Sequence, residues 1–135
     1  MIKYTNEVND ISEEGLKGFF VGWPNPPSLH KHKEILLKSD YVWLAIDEDT
    51  NNVVGFITAI SDQVLSAYIP LLEVLPTYQG QGIGSKLAQL MFESLKHLYM
   101  VDLLCDEDVI PFYDRLNMFR CKGMCLRNYD RQNAE

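Results

Sequence analysis

Gln79-Gly80-Gln81-Gly82-Ile83-Gly84 is the stretch on which the reading of this chain turns. Before it lies an apolar, strand-like run from Tyr68 to Leu75. After it Ile83, Leu87, Leu90, Met91, Leu95 and Leu98 recur at helical spacing. A glycine-rich turn between a strand and a helix aims several main-chain N–H groups at one spot. The helix dipole makes that spot attractive to anions, phosphate above all. Glycine suits such a turn because a Cβ would hold a phosphate oxygen at a distance. An ordinary helix-start turn is the plainer alternative, and the neighbouring residues must decide.

Working outward, Met100 to Cys105 predicts a short buried strand after the helix. A strand–helix–strand unit of this length implies a right-handed parallel crossover. Upstream, Val64 to Val74 reads as a central strand. Tyr41 to Asp47 and Val53 to Ser61 read as a hairpin about the polar turn Glu48 to Asn52. Ile2 to Thr5 can form a short opening strand. Ser12, followed by Glu13 and Glu14, predicts a helix running to about Val21, which Trp23-Pro24-Asn25-Pro26-Pro27 must end. Ser28 can cap a second helix through Lys38, with Leu29, Ile35, Leu36 and Leu37 on its apolar face. Val109 to Leu116 predicts a short helix that tolerates Pro111 in its first turn. Phe119 to Tyr129 reads as one bent strand or as two short ones around Gly123.

The 135 residues suit one domain, and 47% apolar with 23% charged residues predicts a folded chain rather than a disordered one. No apolar run is long enough to span a bilayer, and Met1-Ile2-Lys3-Tyr4 carries no signal-peptide pattern. Cys105, Cys121 and Cys125 form no close-set ligand pairs, so no metal is expected, and reduced thiols in a cytoplasm are the simpler reading. The formal charge of −7 argues against nucleic acid as a partner, because phosphate backbones require clustered Lys and Arg. It is compatible with a cationic acceptor such as an amine, and equally with an acidity that only aids solubility.

Two features then coincide. The strand end Leu72-Glu73-Val74-Leu75-Pro76 leads into Gln79-x-x-Gly82-x-Gly84 and a helix. One strand and one turn later comes Pro111-Phe112-Tyr113-Asp114-Arg115-Leu116-Asn117-Met118-Phe119. Together they resemble motifs A and B of the GCN5-related N-acetyltransferase (GNAT) superfamily, and small bacterial members of it in particular. The element order matches over nearly the full chain. The resemblance implies an α/β (α+β) fold in one domain over residues 1–135. It would contain a mixed, mostly antiparallel sheet, splayed at its centre and flanked by helices.

The resemblance also implies acetyl-CoA as cosubstrate. Its pantetheine arm would lie in the splay and pair with main-chain groups near Leu72 and Val74, as an amide-bearing arm can on an open strand edge. Amides from Gly80 through Gln81, Gly82 and Gly84 to Ser85 would hold the pyrophosphate, with Gln79 fixing the loop. Phe112 would pack against the cosubstrate or only against the core. Tyr113 matches the family tyrosine that can protonate the leaving thiolate, and a core tyrosine is its plainer reading. Gln81 stands where Arg or Lys is common, Asp106 where Asn often stands, and Asn117-Met118 where Gly-Phe is usual.

An amine must lose a proton before it attacks. Glu73, an ionisable residue in an otherwise apolar strand segment, is the first candidate base. A solvated position or a structural hydrogen bond to a neighbouring loop is the alternative. Asp102 and Asp106 come next, while His30 and His32 fall on a helix expected to be solvated. The Val74 amide could hold the carbonyl oxygen as charge develops on it. Cys105 as an acetyl carrier is a weaker alternative to direct transfer in a ternary complex. Gly22 to Ser28, with Trp23 as an aromatic wall, is the expected acceptor segment.

The acceptor would be a primary amine of a small molecule or peptide, with no nucleic-acid or membrane partner, and a homodimer is compatible with the family. A non-catalytic acyl-CoA sensor is the competing reading. A nucleotide-binding enzyme fits poorly, because no Gly-Lys-(Ser/Thr) follows the glycines.

Overall fold

The computed structural model describes residues 1–135. Short apolar runs, near-continuous in the two strands buried on both faces, draw Ile2–Thr5 (β1), Tyr41–Asp47 (β2), Asn52–Ser61 (β3) and Ser66–Val74 (β4) into an antiparallel meander. Met100–Asp102 (β5) adds to β4 in parallel, giving the order β1-β2-β3-β4-β5. Asn51 takes a left-handed conformation (φ +61°) in the β2–β3 turn, a role its short polar side chain tolerates.

The two faces of the sheet are each covered. On one, Ala45, Ile57 and Ile69 pack with Ile83, Leu87, Met91 and Leu95 of the helix Ile83–Ser94 (α2) and its end. On the other, Val42, Leu44, Val53 and Phe56 pack with Leu16, Phe20 and Leu36, the last from the helix Leu29–Lys38 (α1). The short helix Ile110–Asp114 (α3) follows β5. The sheet flanked by these helices agrees with the expected architecture.

Position 70 makes the splay. Between the pairs Thr58–Leu71 and Ile60–Tyr68, β4 carries one residue more than β3. Pro70, which has no N–H to give to a ladder, lies in this bulge. Pairing with β5 stops at Tyr68–Asp102, whereas β4 runs on to Val74. The last part of β4 therefore has one edge open.

Several boundaries differ from the sequence reading. The helix expected from Ser12 to about Val21 is absent. Ser12 Oγ does accept the Gly15 N–H at 3.1 Å, but only one 3-10 turn follows, Glu14–Leu16. Gly18 (φ +97°), Phe20 (φ +61°) and Gly22 (φ +83°) then turn left-handed, which a right-handed helix cannot include. Helix α2 ends at Ser94 rather than Leu98, and β5 ends at Asp102 rather than Cys105. Phe119 to Tyr129 forms no strand.

His32, expected to be solvated, is 1% exposed. It completes the stripe Leu29, His32, Leu36 on the inner face of α1, against the rings of Phe19, Phe20 and Phe56 at 5.5, 4.9 and 4.6 Å. His30 is exposed and pairs with Glu13 at 2.8 Å. Ser28 caps α1 as expected, its Oγ accepting the Lys31 N–H at 3.1 Å.

Candidate functional site

Pro76 opens a single turn (Pro76–Tyr78), after which the chain bends twice, at Gly80 (φ +78°) and Gly82 (φ +85°), before α2 begins. A methyl added at Gly80 or Gly82 would meet no protein atom within 4 Å, so the turn is open on its outer side. The amides of Gly80, Gln81 and Gly82 donate to no protein acceptor. The first bond into the helix is Lys86 N–H to Gly82 O at 3.0 Å. The N–H groups of Ile83, Gly84 and Ser85 belong to the first turn, where helix geometry supplies no intrahelical acceptor. No side chain caps this end. The arrangement is a concave set of donors with the dipole of α2 behind it, suited to an anion.

The open edge of β4 adjoins this turn. Leu75 N–H donates to Val54 O at 2.8 Å, which fixes the alternation along the strand. Leu71, Glu73 and Leu75 present their backbone groups to β3, and Leu72 and Val74 present theirs to the splay. Gln79 Nε2 donates to the Val74 carbonyl at 2.9 Å and ties the glycine turn to this edge. The side chains of Leu72 and Val74 pack in the α2 layer, and Glu73 lies on the opposite face.

Phe112 joins the second motif to the first. A methyl added at Gly84 would stand 3.6 Å from the Phe112 ring and 3.7 Å from Val74 Cγ2. Phe112 in turn meets Tyr113 edge-on, with ring centroids 4.9 Å apart. Tyr113 is half-buried. Burial, and then the neighbouring Cys105, push its hydroxyl up to about 12, so it stays protonated at neutral pH. The Cys105 thiol is itself pushed up by burial and by Asp106, Asp108 and Asp114, which opposes its service as a nucleophile.

Glu73 is half-buried and both of its oxygens accept main-chain N–H groups, Oε1 from Phe20 at 2.9 Å and Oε2 from Val21 at 3.2 Å. These bonds hold the loop that leads to the expected acceptor segment. There Trp23 leans on Phe20 at 4.8 Å, and the Asn25 N–H donates to Gln132 Oε1 at 2.8 Å. Asp102 and Asp106 are exposed on the β5 side. The left-handed Phe20 and the distant Gln132 were not singled out in the sequence. The Gly18 and Gly22 flanking Phe20 were the available signal for the first, and nothing local marks the second.

No group of three or more His, Cys, Asp or Glu side chains is placed to hold a metal ion, and no helix is long and apolar enough to cross a membrane.

A splayed mixed sheet, a glycine turn opening α2 and a tyrosine-bearing α3 beside it define an acyltransferase-type fold. The profile of the acetyltransferase (GNAT) family matches residues 8–118, and the chain belongs to that family. A protein of Deinococcus radiodurans R1, provisionally named an acetyltransferase, has a similar crystal structure. It is 43% identical, covering 98% of this chain and 92% of that one with a TM-score of 0.95. A GNAT-family acetyltransferase of Streptococcus pneumoniae TIGR4 is 32% identical, covering 95% and 98% with a TM-score of 0.77. An uncharacterised N-acetyltransferase, ycf52, of Pyropia yezoensis is 29% identical over 113 residues, 77% of this chain. The chain spans 64% of that relative's length.

Proposed function

We propose that this chain moves an acetyl group from acetyl-CoA to a primary amine of a small molecule or peptide, by direct attack with both substrates bound. The observation that carries this reading is the junction of two sets of unpaired backbone groups. The Gly80–Gly82 amides and the Leu72–Val74 edge are tied together by the Gln79–Val74 bond. A ligand with a diphosphate at one end and amides along its length would satisfy both, and acetyl-CoA has this form and supplies the activated acyl group. Gly80, Gln81, Gly82, Gly84 and Ser85 would hold the diphosphate, and Leu72 and Val74 the amide arm, with Phe112 packed behind.

The roles of the side chains follow from their surroundings. The Val74 amide, facing the splay, can stabilise charge that develops on the acetyl oxygen. Tyr113 keeps its proton in its apolar site and can give it to the departing sulfur. Glu73 spends two acceptor sites on Phe20 and Val21, and a carboxylate has about four. An amine seated against that loop would meet the remaining lone pairs, so we assign Glu73 both the holding of the acceptor loop and the removal of the amine proton.

Full-length protein incubated with acetyl-CoA and a panel of primary amines tests the reading by release of free thiol. Turnover on at least one amine, lost in Tyr113→Phe, is expected. Tight acetyl-CoA binding with no turnover on any amine would assign the chain to the acyl-CoA sensors instead.

A further inference from the structure

The glycine turn before α2 is held by more than its own residues. Gly80 and Gly82 turn left-handed with no protein atom within 4 Å of an added methyl, and the amides of this turn donate to no protein acceptor. Glycine gives up more freedom on ordering than any other residue, so a turn with two of them does not keep one shape unaided. On its far side it is anchored by Ile83, a core residue 3% exposed. On its near side the exposed Gln79 side chain ties to Val74. The residue before Gln79 carries a second tie, to a different part of the sheet.

Tyr78 closes the single turn Pro76–Tyr78, and its half-buried ring packs against the α2 layer. Its hydroxyl donates to Oδ2 of Asp47, 31 positions earlier. Asp47 is the last residue of β2, and the turn into β3 holds it independently of Tyr78. Its Oδ1 accepts the Asp49 N–H at 2.9 Å, and its carbonyl accepts the N–H of Thr50 at 3.2 Å and of Asn51 at 2.7 Å. Both groups register the pairing. The Tyr78 hydroxyl, and then the Asp49 amide, draw the Asp47 carboxyl below the usual carboxylate range, and the carboxylate pushes the Tyr78 hydroxyl above the usual phenol value. Packing against α2 asks only for a ring at position 78. The hydroxyl and the acid that meets it call for another reason.

We propose that Asp47 and Tyr78 are positioning residues for the diphosphate grip. The β2–β3 turn pins Tyr78, and Tyr78 sets the direction in which the Gly80, Gln81 and Gly82 amides point. Only Gln79 to Gly82 lie between the pinned Tyr78 and the buried Ile83, so a shift of the ring passes to all three donors. A turn ordered in advance binds with less loss of freedom than one that its ligand must order. Both side chains act through the main chain rather than on the reacting atoms. The role rests on the reading of the glycine turn as the diphosphate site.

NMR titration of the full chain tests it, with coenzyme A and with pantetheine, which is the same arm without the diphosphate. Tyr78→Phe deletes only the hydroxyl and should weaken coenzyme A binding by about fivefold to tenfold. Asp47→Ala should do the same, and D47A/Y78F should bind no more weakly than either single variant. Asp47→Asn should stay within about threefold of wild type, because its amide can donate to the phenol oxygen. Pantetheine should bind every variant as it binds wild type. Additive losses in the double variant, or an equal weakening toward pantetheine, would overturn the role. Wild-type protein without affinity for coenzyme A would overturn the diphosphate reading and this role together. Intact wild-type binding that Tyr78→Phe or Asp47→Ala leaves unaltered would overturn this role alone.

Discussion

The carboxylate of Glu73 accepts the N–H of Phe20, 53 positions earlier in the chain, at 2.9 Å. Phe20 is left-handed (φ +61°), a conformation that costs a bulky residue about 1–2 kcal/mol. Phe20 also packs its ring on Trp23 and His32. One side chain of β4 thus sets the course of the loop on which acceptor recognition is proposed to rest.

Replacing Glu73 separates its two assigned roles. Glu73→Ala removes both acceptors and should lower stability by about 1–3 kcal/mol in urea unfolding, with a raised KM for the amine. Glu73→Gln keeps one acceptor oxygen and sets its NH2 against the other backbone N–H, so it should recover only part of that stability while kcat falls by about 100-fold or more. A kcat left unchanged in Glu73→Gln would remove Glu73 from proton transfer and leave it the loop holder alone.

Tyr113→Phe preserves the edge-on contact with Phe112 and deletes only the hydroxyl. We expect kcat to drop by about 100-fold, with acetyl-CoA affinity within a factor of about two by calorimetry. Because the hydroxyl titrates near 12, its proton is present throughout pH 7–10. No alkaline loss of rate in that interval should trace to Tyr113, and the shape of the wild-type profile there should survive the substitution.

Gly82→Ala distinguishes a ligand turn from a helix-start turn. The new methyl meets nothing of the protein within 4 Å, so the folded state loses only the left-handed allowance of glycine, about 1 kcal/mol. A phosphate drawn up to the turn would meet the methyl directly. Coenzyme A binding should therefore weaken by about tenfold or more while Tm falls by only a few degrees. Unaltered affinity would place the anion elsewhere.

His32 should make stability depend on acid. Burial lowers its folded-state value from 6.5 to about 4, and its Nε2 has no hydrogen-bond partner. Between those two values the unfolded chain binds the proton and the folded chain does not. The stability it contributes is complete above pH 6.5 and is lost as pH falls toward 4, by on the order of 3 kcal/mol. Denaturant midpoints across pH 4–7 should show this slope, and His32→Phe should remove His32's share of it.

The legible parts of the fold were those in which local pattern and tertiary environment agree. β2 was readable at both ends because Tyr41–Ile46 is a short unbroken apolar run, as a strand covered on both faces requires, and polar residues bound it. Ser28 marked the start of α1 because a cap acts on its own next turn. Gly82 marked α2 for a different local reason: the chain enters the helix through a left-handed residue (φ +85°), which favours glycine. The segment Ser12–Val21 misled because its cap is real but its glycines favour left-handed turns, and the bonds that hold them come from β4. His32 misled because polarity was taken as exposure, while the spacing Leu29, His32, Leu36 already placed it inward. Of the proposed site, the glycine turn and Tyr113 could be read in sequence. For Glu73 the sequence offered a structural hydrogen bond to a neighbouring loop as the alternative to a base, and that bond is present; its partners, Phe20 and Val21, could not be named because they give backbone amides, which almost every residue has.

The additional residue at Pro70 has an effect well past its own kink. Ala67 and Ile69 face the α2 layer, and two-residue parity would send Leu71 and Glu73 there as well. Instead Leu71 joins the α1 layer, and Leu72 and Val74 take the α2 side. Excising one residue here would not merely shorten β4. It would turn the strand's terminal half inside out, driving a carboxylate into the oily layer beneath α2 and stripping the Phe20 bend of its anchor. The polarity of the wall proposed to face the acceptor hangs on an odd-numbered insertion, so alignments that close this gap would exchange its inside for its outside.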